Sequence, residues 1–220
     1  MAELDQTPFD GAEFALNPEP RCPCLLLLDT SGSMQGAPIT ELNAGLVTLK
    51  DELMADALAA KRVEIAIVTF GPVKVANQFQ TVDAFAPPRL SASGNTPMAK
   101  AVERGIELLN DRKEDYRANV IPYYRPWIFL ITDGAPTDDW TDIPALVRHG
   151  EDRNAYAFFA VGVAGANMEI LSRIAVREPL LLSGLRFRDL FGWLSTSLKG
   201  VSQSRVGTKV SLFSPGWAEV

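Results

Sequence analysis

Cys24-Leu-Leu-Leu-Leu28-Asp29-Thr-Ser31-Gly-Ser33 is an unbroken apolar run of strand length that ends in a carboxylate and a serine-glycine turn. A run without alternation is what a strand buried on both faces requires, so the segment predicts a central strand of a sheet with helices on both sides. Downstream, Pro38 opens a stretch in which Ile39, Leu42, Leu46, Leu49 and Leu53 recur at three- and four-residue steps, the stripe of a helix lying on that sheet. Val63–Phe70 reads as a second strand, with Val73–Ala76 and Phe79–Val82 returning across Gly71-Pro72 as a hairpin at a sheet edge. A helix from Pro97 carries Met98, Val102, Ile106 and Leu109 on one face, and Trp127–Thr132 is another buried strand. Ala155–Val163 and Leu180–Leu182 read as strands, Met168–Ile174 as a short helix, and Arg186–Leu198 as a helix with Phe187, Leu190, Phe191, Leu194 and Leu198 on one stripe. Strand and helix alternate, so the expected fold class is α/β, Rossmann-like and three-layered. Its central sheet is mostly parallel, with a short antiparallel edge strand and helices on both faces.

Within the 220 residues, 19–200 form one expected domain, 1–18 an N-terminal extension and 201–220 a C-terminal tail. The two end segments lack a clear period and are expected to be mobile or draped over the body. No apolar run approaches the roughly 18 residues of a membrane span, and the N-terminus lacks the basic and apolar regions of a signal peptide, which points to the cytoplasm. The formal net charge of −6 argues against nucleic acid or an anionic membrane as the main partner, since both are held largely by Lys and Arg. Cys22 and Cys24, the only cysteines, lack the further ligands of a zinc knuckle and read as ordinary reduced thiols.

In open α/β sheets, ligands bind beyond the carboxyl ends of the strands. Three segments expected there are rich in oxygen: Asp29-Thr-Ser31-Gly-Ser33, Ser93-Gly-Asn-Thr96 ahead of a helix, and Asp133-Gly after the Trp127 strand. Carboxylates and hydroxyls suit Mg²⁺, Mn²⁺ or Ca²⁺, and none of these segments holds a thiolate or imidazole that would favour zinc or copper. The alternate spacing of Asp29, Ser31 and Ser33 lets a turning loop aim three side chains inward.

Asp29-x-Ser31-x-Ser33 with Thr96 and Asp133 resembles the metal-ion-dependent adhesion site (MIDAS) of von Willebrand factor A (VWA) domains, and the similarity covers roughly residues 20–200. The wider phrases Ser91-Ala-Ser-Gly-Asn-Thr96, Phe129-Leu-Ile-Thr-Asp133-Gly and Trp193-Leu-Ser-Thr-Ser197 resemble the bacterial TerY-like branch, associated with tellurium resistance and stress response. The resemblance implies one divalent cation, Mg²⁺ first with Mn²⁺ or Ca²⁺ as alternatives, coordinated directly by Ser31, Ser33 and Thr96 and through water and hydrogen bonds by Asp29 and Asp133. It implies a protein partner that supplies an Asp or Glu carboxylate to the ion. It also implies a stress or phage-defence setting with protein kinase and PP2C-type phosphatase components, and movement of the Arg186–Leu198 helix between affinity states.

The competing reading is a metal-dependent hydrolase or phosphatase using the same oxygens, and a third is a metal-free scaffold that keeps the loops as structure. The enzyme reading is weak. His149, the only histidine, lies inside an expected helix, no Gly-x-Ser-x-Gly elbow exists, and an aspartyl-phosphate enzyme would want an acid where Ser31 stands. No Gly-x-x-x-x-Gly-Lys-Ser/Thr loop is present, and Gly162-Val-Ala-Gly165 is not a dinucleotide fingerprint. Asp138 and Asp139 read as caps of a helix starting near Trp140 and Thr141. Trp193 falls off its helix's apolar stripe, either as an interaction patch or as a side chain covered by the tail.

Overall fold

The apolar run at the head of the chain divides its side chains between two cores. In the computed structural model, which describes residues 12–208, 210 and 218–219, strand β1 (Cys22–Asp29) is buried along its whole length. Cys22, Cys24, Leu26 and Leu28 face one helical layer, while Leu25 and Leu27 face the other, as a period of two dictates. The first layer is α2 (Ala37–Met54), α3 (Ala57–Arg62) and α7 (Phe187–Gln203), with Leu42, Leu46 and Leu49 meeting Phe187, Phe191 and Leu194. The second is α4 (Met98–Ala118), α5 (Ile143–Asp152) and α6 (Met168–Ile174), which cover Leu25, Leu27, Ala66 and Val68.

Between the layers, β1 pairs in parallel with β2 (Val63–Phe70) and β4 (Trp127–Thr132), and β5 (Ala157–Gly162) and β6 (Leu180–Leu182) continue the parallel set. The antiparallel edge is β3 (Lys74–Thr81), a single strand where the sequence reads as two pieces. Register shifts beside Ile65 and Ile67 bulge the ladder, which breaks the alternation on which a sequence reading depends. A second antiparallel edge, the two-residue β7 (Ala218–Glu219), lies within the expected tail and completes the order β3-β2-β1-β4-β5-β6-β7. The last helix continues past Leu198 to Gln203 and buries Val201 and Ser202. In the expected N-terminal extension, α1 (Ala12–Leu16) packs Phe14 on Tyr116. The expectation that the ends are mobile or draped, as it concerns 1–11, 209, 211–217 and 220, lies outside the described residues.

At the amino ends of the strands, the second residue of β2, Glu64, is fully buried. It accepts hydrogen bonds from Arg21 Nε (2.9 Å), Arg112 Nε and Nη2 (both 2.8 Å) and the Tyr116 hydroxyl (2.5 Å). Burial opposes charge on Arg112, but its hydrogen bonds to Glu64 and Glu13 hold the guanidinium above its ordinary range. Burial, with Glu64 adding to it, pushes the Cys22 thiol up to about 12, and burial, with Cys22 adding to it, raises the Cys24 thiol well above its ordinary value; both are free, protonated thiols. No helix among the described residues is long and apolar enough to cross a membrane.

Candidate metal centre

With β2 on one side of β1 and β4 on the other, the winding of the sheet reverses at β1. The carboxyl ends of β1 and β4 therefore flank the crevice where such sheets take ligands. Asp29 is the last residue of β1 and Asp133 follows β4, so the topology brings both carboxylates to that crevice.

Three loops are laced together there by backbone hydrogen bonds. The N–H of Gly32 donates to Gly94 O (3.0 Å) and that of Ser93 to Thr30 O (2.7 Å), joining the loop after β1 to the loop before α4. The N–H of Thr137 donates to Thr96 O (2.9 Å) while the Thr96 N–H donates to Thr137 Oγ1 (3.1 Å), joining the second loop to the one after β4. Each loop thus satisfies the polar backbone of its neighbour, as buried peptide groups require.

The side chains form a connected chain of oxygens. Asp29 Oδ1 accepts from the Ser31 N–H (2.8 Å), Ser31 Oγ and Ser33 Oγ share a hydrogen bond of 3.0 Å, and Ser33 Oγ donates to Asp133 Oδ1 (2.7 Å). Thr96 is 7% exposed, and its Oγ1 lies 3.7 Å from the position a Cβ would take on Gly134. That hydroxyl has no hydrogen-bond partner among the described residues. All five residues singled out in the sequence therefore meet at one end of the sheet, four linked by hydrogen bonds and Thr96 beside the Asp133-Gly134 turn.

Asp29 is fully buried. Burial pushes its carboxyl above the ordinary aspartate range, hydrogen bonds from Ser31 and Thr132 pull it back, and Asp133 adds a smaller upward push. Neither carboxylate has an ion-pair partner among the described residues. A buried carboxylate facing a second acid, without a protein cation, is an arrangement that a bound cation would relieve. No group of three or more His, Cys, Asp or Glu among the described residues is placed to hold a metal, so a centre here would rest on hydroxyls as well as carboxylates. That donor set fits a hard divalent cation.

Thr132 is a participant the sequence reading passed over. Its hydroxyl, fully buried at the end of β4, donates to Asp29 Oδ2 (2.5 Å) and accepts from the Gly134 N–H (3.1 Å). The available signal was a hydroxyl residue immediately before Asp133 in an otherwise apolar strand. Asp138 also differs from expectation. It caps a helix, but that helix is α4: its carboxylate accepts from the N–H groups of Ala99 (3.1 Å) and Lys100 (3.0 Å). Asp139 instead closes a local turn on Thr141, and α5 begins at Ile143 with no side-chain cap. His149 is exposed on α5. Trp193 is half-buried, edge-on to Phe129 with ring centroids 6.2 Å apart.

A family model described as von Willebrand factor type A domain matches residues 25–183. A comparison with curated proteins returns no match. Among solved structures, proximal thread matrix protein 1 from the mussel byssus, in a form with a zinc-occupied MIDAS motif, is 15% identical with a TM-score of 0.56, covering 82% of this chain and 48% of that one. The vWF domain of the type V pili tip protein Mfa5 from Porphyromonas gingivalis is 10% identical with a TM-score of 0.58, covering 89% of this chain and 99% of that one. The pilus adhesin SpaC from Lactobacillus rhamnosus GG, in its open conformation, is 11% identical with a TM-score of 0.64, covering 81% of this chain and 30% of that one. The chain thus spans about half the length of the mussel protein and less than a third of SpaC. At these identities the likeness is one of fold.

Proposed function

The chain belongs to the von Willebrand factor type A domain family, and from that membership we propose that it is a binding module which holds one divalent cation at the Asp29 site and captures a carboxylate of a protein partner there. The observation that carries this reading is Asp29 itself, a buried carboxylate beside Asp133 and three hydroxyls with no protein cation paired to it. Ser31, Ser33 and Thr96 would hold the ion directly, with Asp29 and Asp133 acting through water and hydrogen bonds. Bound there, the ion would supply a positive charge that neutral hydroxyl ligands leave largely uncompensated, so that an Asp or Glu of a partner is attracted to it.

Oxygen donors alone favour Mg²⁺, with Mn²⁺ or Ca²⁺ next; zinc, which occupies the motif in the mussel protein, is disfavoured here by the lack of a thiolate or imidazole. Binding rather than hydrolysis is supported by the exposure of the sole histidine on α5. One structural neighbour, SpaC, is a pilus adhesin by name, which agrees with capture of a protein. The phrases around Thr96, Asp133 and Trp193 support a cytoplasmic, TerY-like stress or phage-defence system, with kinase or PP2C-type phosphatase components as partners.

Thermal unfolding of metal-stripped protein titrated with Mg²⁺, Mn²⁺ and Ca²⁺ tests the site. An ion at 100 times its Kd stabilises a folded state that alone binds it by about 2.7 kcal/mol. A saturable rise in Tm is expected for the wild type and none for Asp29→Ala; no rise with any ion in the wild type overturns the reading. Thr132→Val keeps the side-chain shape but removes the donor to Asp29. It is expected to weaken ion affinity about tenfold, at the lower end of what loss of a ligand-orienting group costs. Equal affinity in calorimetric titrations of the two proteins would remove Thr132 from the centre.

A further inference from the structure

Beside the Asp29 loop the surface carries a cleft of about 190 Å³ between the β2–β3 turn and the segment leading into the second metal loop. Thr30, Gly71 and Ser93 line it on the side of the Asp29 loop, and two of them belong to the lacing of the candidate centre: Ser93 donates its N–H to Thr30 O. Lys74 and Arg89 also line it, both exposed, and neither has an ion-pair partner among the described residues. A second cleft of about 340 Å³ continues from Pro88 and Arg89 along α2 to Asn43 and the half-exposed Val47. No carboxylate lines either cleft. In a chain with 27 acidic and 21 basic residues, two unpaired cations on an acid-free groove beside an oxygen-rich site are a local reversal of the overall charge.

The groove is also built to hold its shape. Asn43 donates to Leu90 O (2.9 Å) and accepts from the Leu90 N–H (2.8 Å), which pins the Pro87–Leu90 segment to α2. The Ser93 hydroxyl donates to Gly71 O (3.1 Å), which ties the opposite wall to the β2–β3 turn. The backbone that presents Arg89 therefore needs little ordering on binding, which lowers the cost of docking a segment there.

We propose that this groove receives a second acidic side chain of the same protein partner, so that the recognised segment carries two carboxylates, one for the ion at the Asp29 site and one for Lys74 and Arg89. The inference rests on the proposed metal-dependent capture of a carboxylate and adds the chemical class of segment captured. Nucleic acid fits the whole surface poorly because of its net charge of −6, and a single carboxylate leaves both cations unanswered.

The test uses the full chain in Mg²⁺ or Mn²⁺ and a panel of fluorescently labelled Gly/Ser peptides. One set carries a single Asp, and the other carries a second Asp or Glu at spacings of one to six residues. Two solvent-exposed charge pairs are worth about fivefold in affinity together, so the best two-acid peptide is expected to bind about fivefold more tightly than the one-acid peptide by anisotropy. In Lys74→Glu/Arg89→Glu that preference is expected to vanish or invert, while the Tm rise with metal stays as in the wild type. Higher salt should narrow the preference, since exposed pairs are screened.

Equal binding of one- and two-acid peptides, a preference that survives the double substitution, or no peptide binding by protein whose metal response is intact would each overturn the proposal and leave the metal reading standing. Absence of the metal response in the wild type, by contrast, overturns the metal reading itself, whatever the peptides do.

Discussion

Glu64→Gln is expected to lower the unfolding free energy by about 3–5 kcal/mol, the cost of removing one partner from a buried ion pair. The wild-type carboxylate is fully buried and receives Arg21, Arg112 and the Tyr116 hydroxyl, so its neutral replacement leaves two guanidinium groups at the amino ends of the strands with one buried acid fewer. Arg112 keeps its contact with the more exposed Glu13 (2.6 Å), which softens the loss without replacing a buried charge. The surface pair Arg104–Glu107, 3.2 Å apart on exposed side chains, gives the contrast: Glu107→Gln should cost under about 0.5 kcal/mol. Urea denaturation of the two variants measures both, and a Glu64→Gln loss below about 1 kcal/mol would mean that the network is no more than surface-like in strength. Glu64 and Phe70 sit at opposite ends of β2, about 20 Å apart at the rise of a strand, and Phe70 is the residue paired with Asp29. Ion affinity should therefore be unchanged in Glu64→Gln under native conditions.

What the sequence made legible was what repeats locally. The unbroken Leu25–Leu28 run, the stripe from Leu42 to Leu53 and that from Phe187 to Leu198 each carry their own period, and each is an element of the three-layer fold. The oxygen-rich loops were legible for a related reason: residues just after strands fall at the carboxyl edge of a parallel sheet whatever their order, and Asp29, Ser31, Ser33 and Asp133 are joined there by hydrogen bonds. Partnerships set by register across the sheet were not legible. Nothing local in Val63-Glu-Ile names the partners of Glu64; pairing with β1 and the approach of α4 enclose it between Arg21 and Arg112. Asp138 looks like the cap of the next helix in the chain, but the loop after β4 folds back so that it caps α4. Thr132 supports Asp29 only because β4 lies next to β1, a neighbourhood fixed by topology.

Gly71 shows how closely the stability of the fold and the shape of the centre are joined. It has φ +127°, a conformation side chains avoid, and a Cβ there would lie 2.6 Å from the Ser31 nitrogen and 2.7 Å from the carbonyl carbon and oxygen of Thr30. Those neighbours are backbone of the first metal loop, held by Thr30 N–H to Phe70 O (2.9 Å) and Gly32 N–H to Gly94 O (3.0 Å), so they cannot turn aside as a side-chain end would. Gly71→Ala is accordingly expected to cost about 2–4 kcal/mol, backbone strain and overpacking together. The only way to relieve the contact is to push Thr30 and Ser31 away from the β2–β3 turn, which moves the Ser31 hydroxyl relative to Asp133. The ion-dependent rise in Tm should therefore shrink as well. Gly184→Ala separates the two causes. Gly184 also has a positive φ, +61°, but its Cβ would meet nothing within 4 Å. It should lose only about 1 kcal/mol and respond to metal as the wild type does. If Gly71→Ala instead unfolds at the wild-type temperature and binds metal unchanged, the β2–β3 turn is not a wall of the centre, and the groove beside it loses a fixed side.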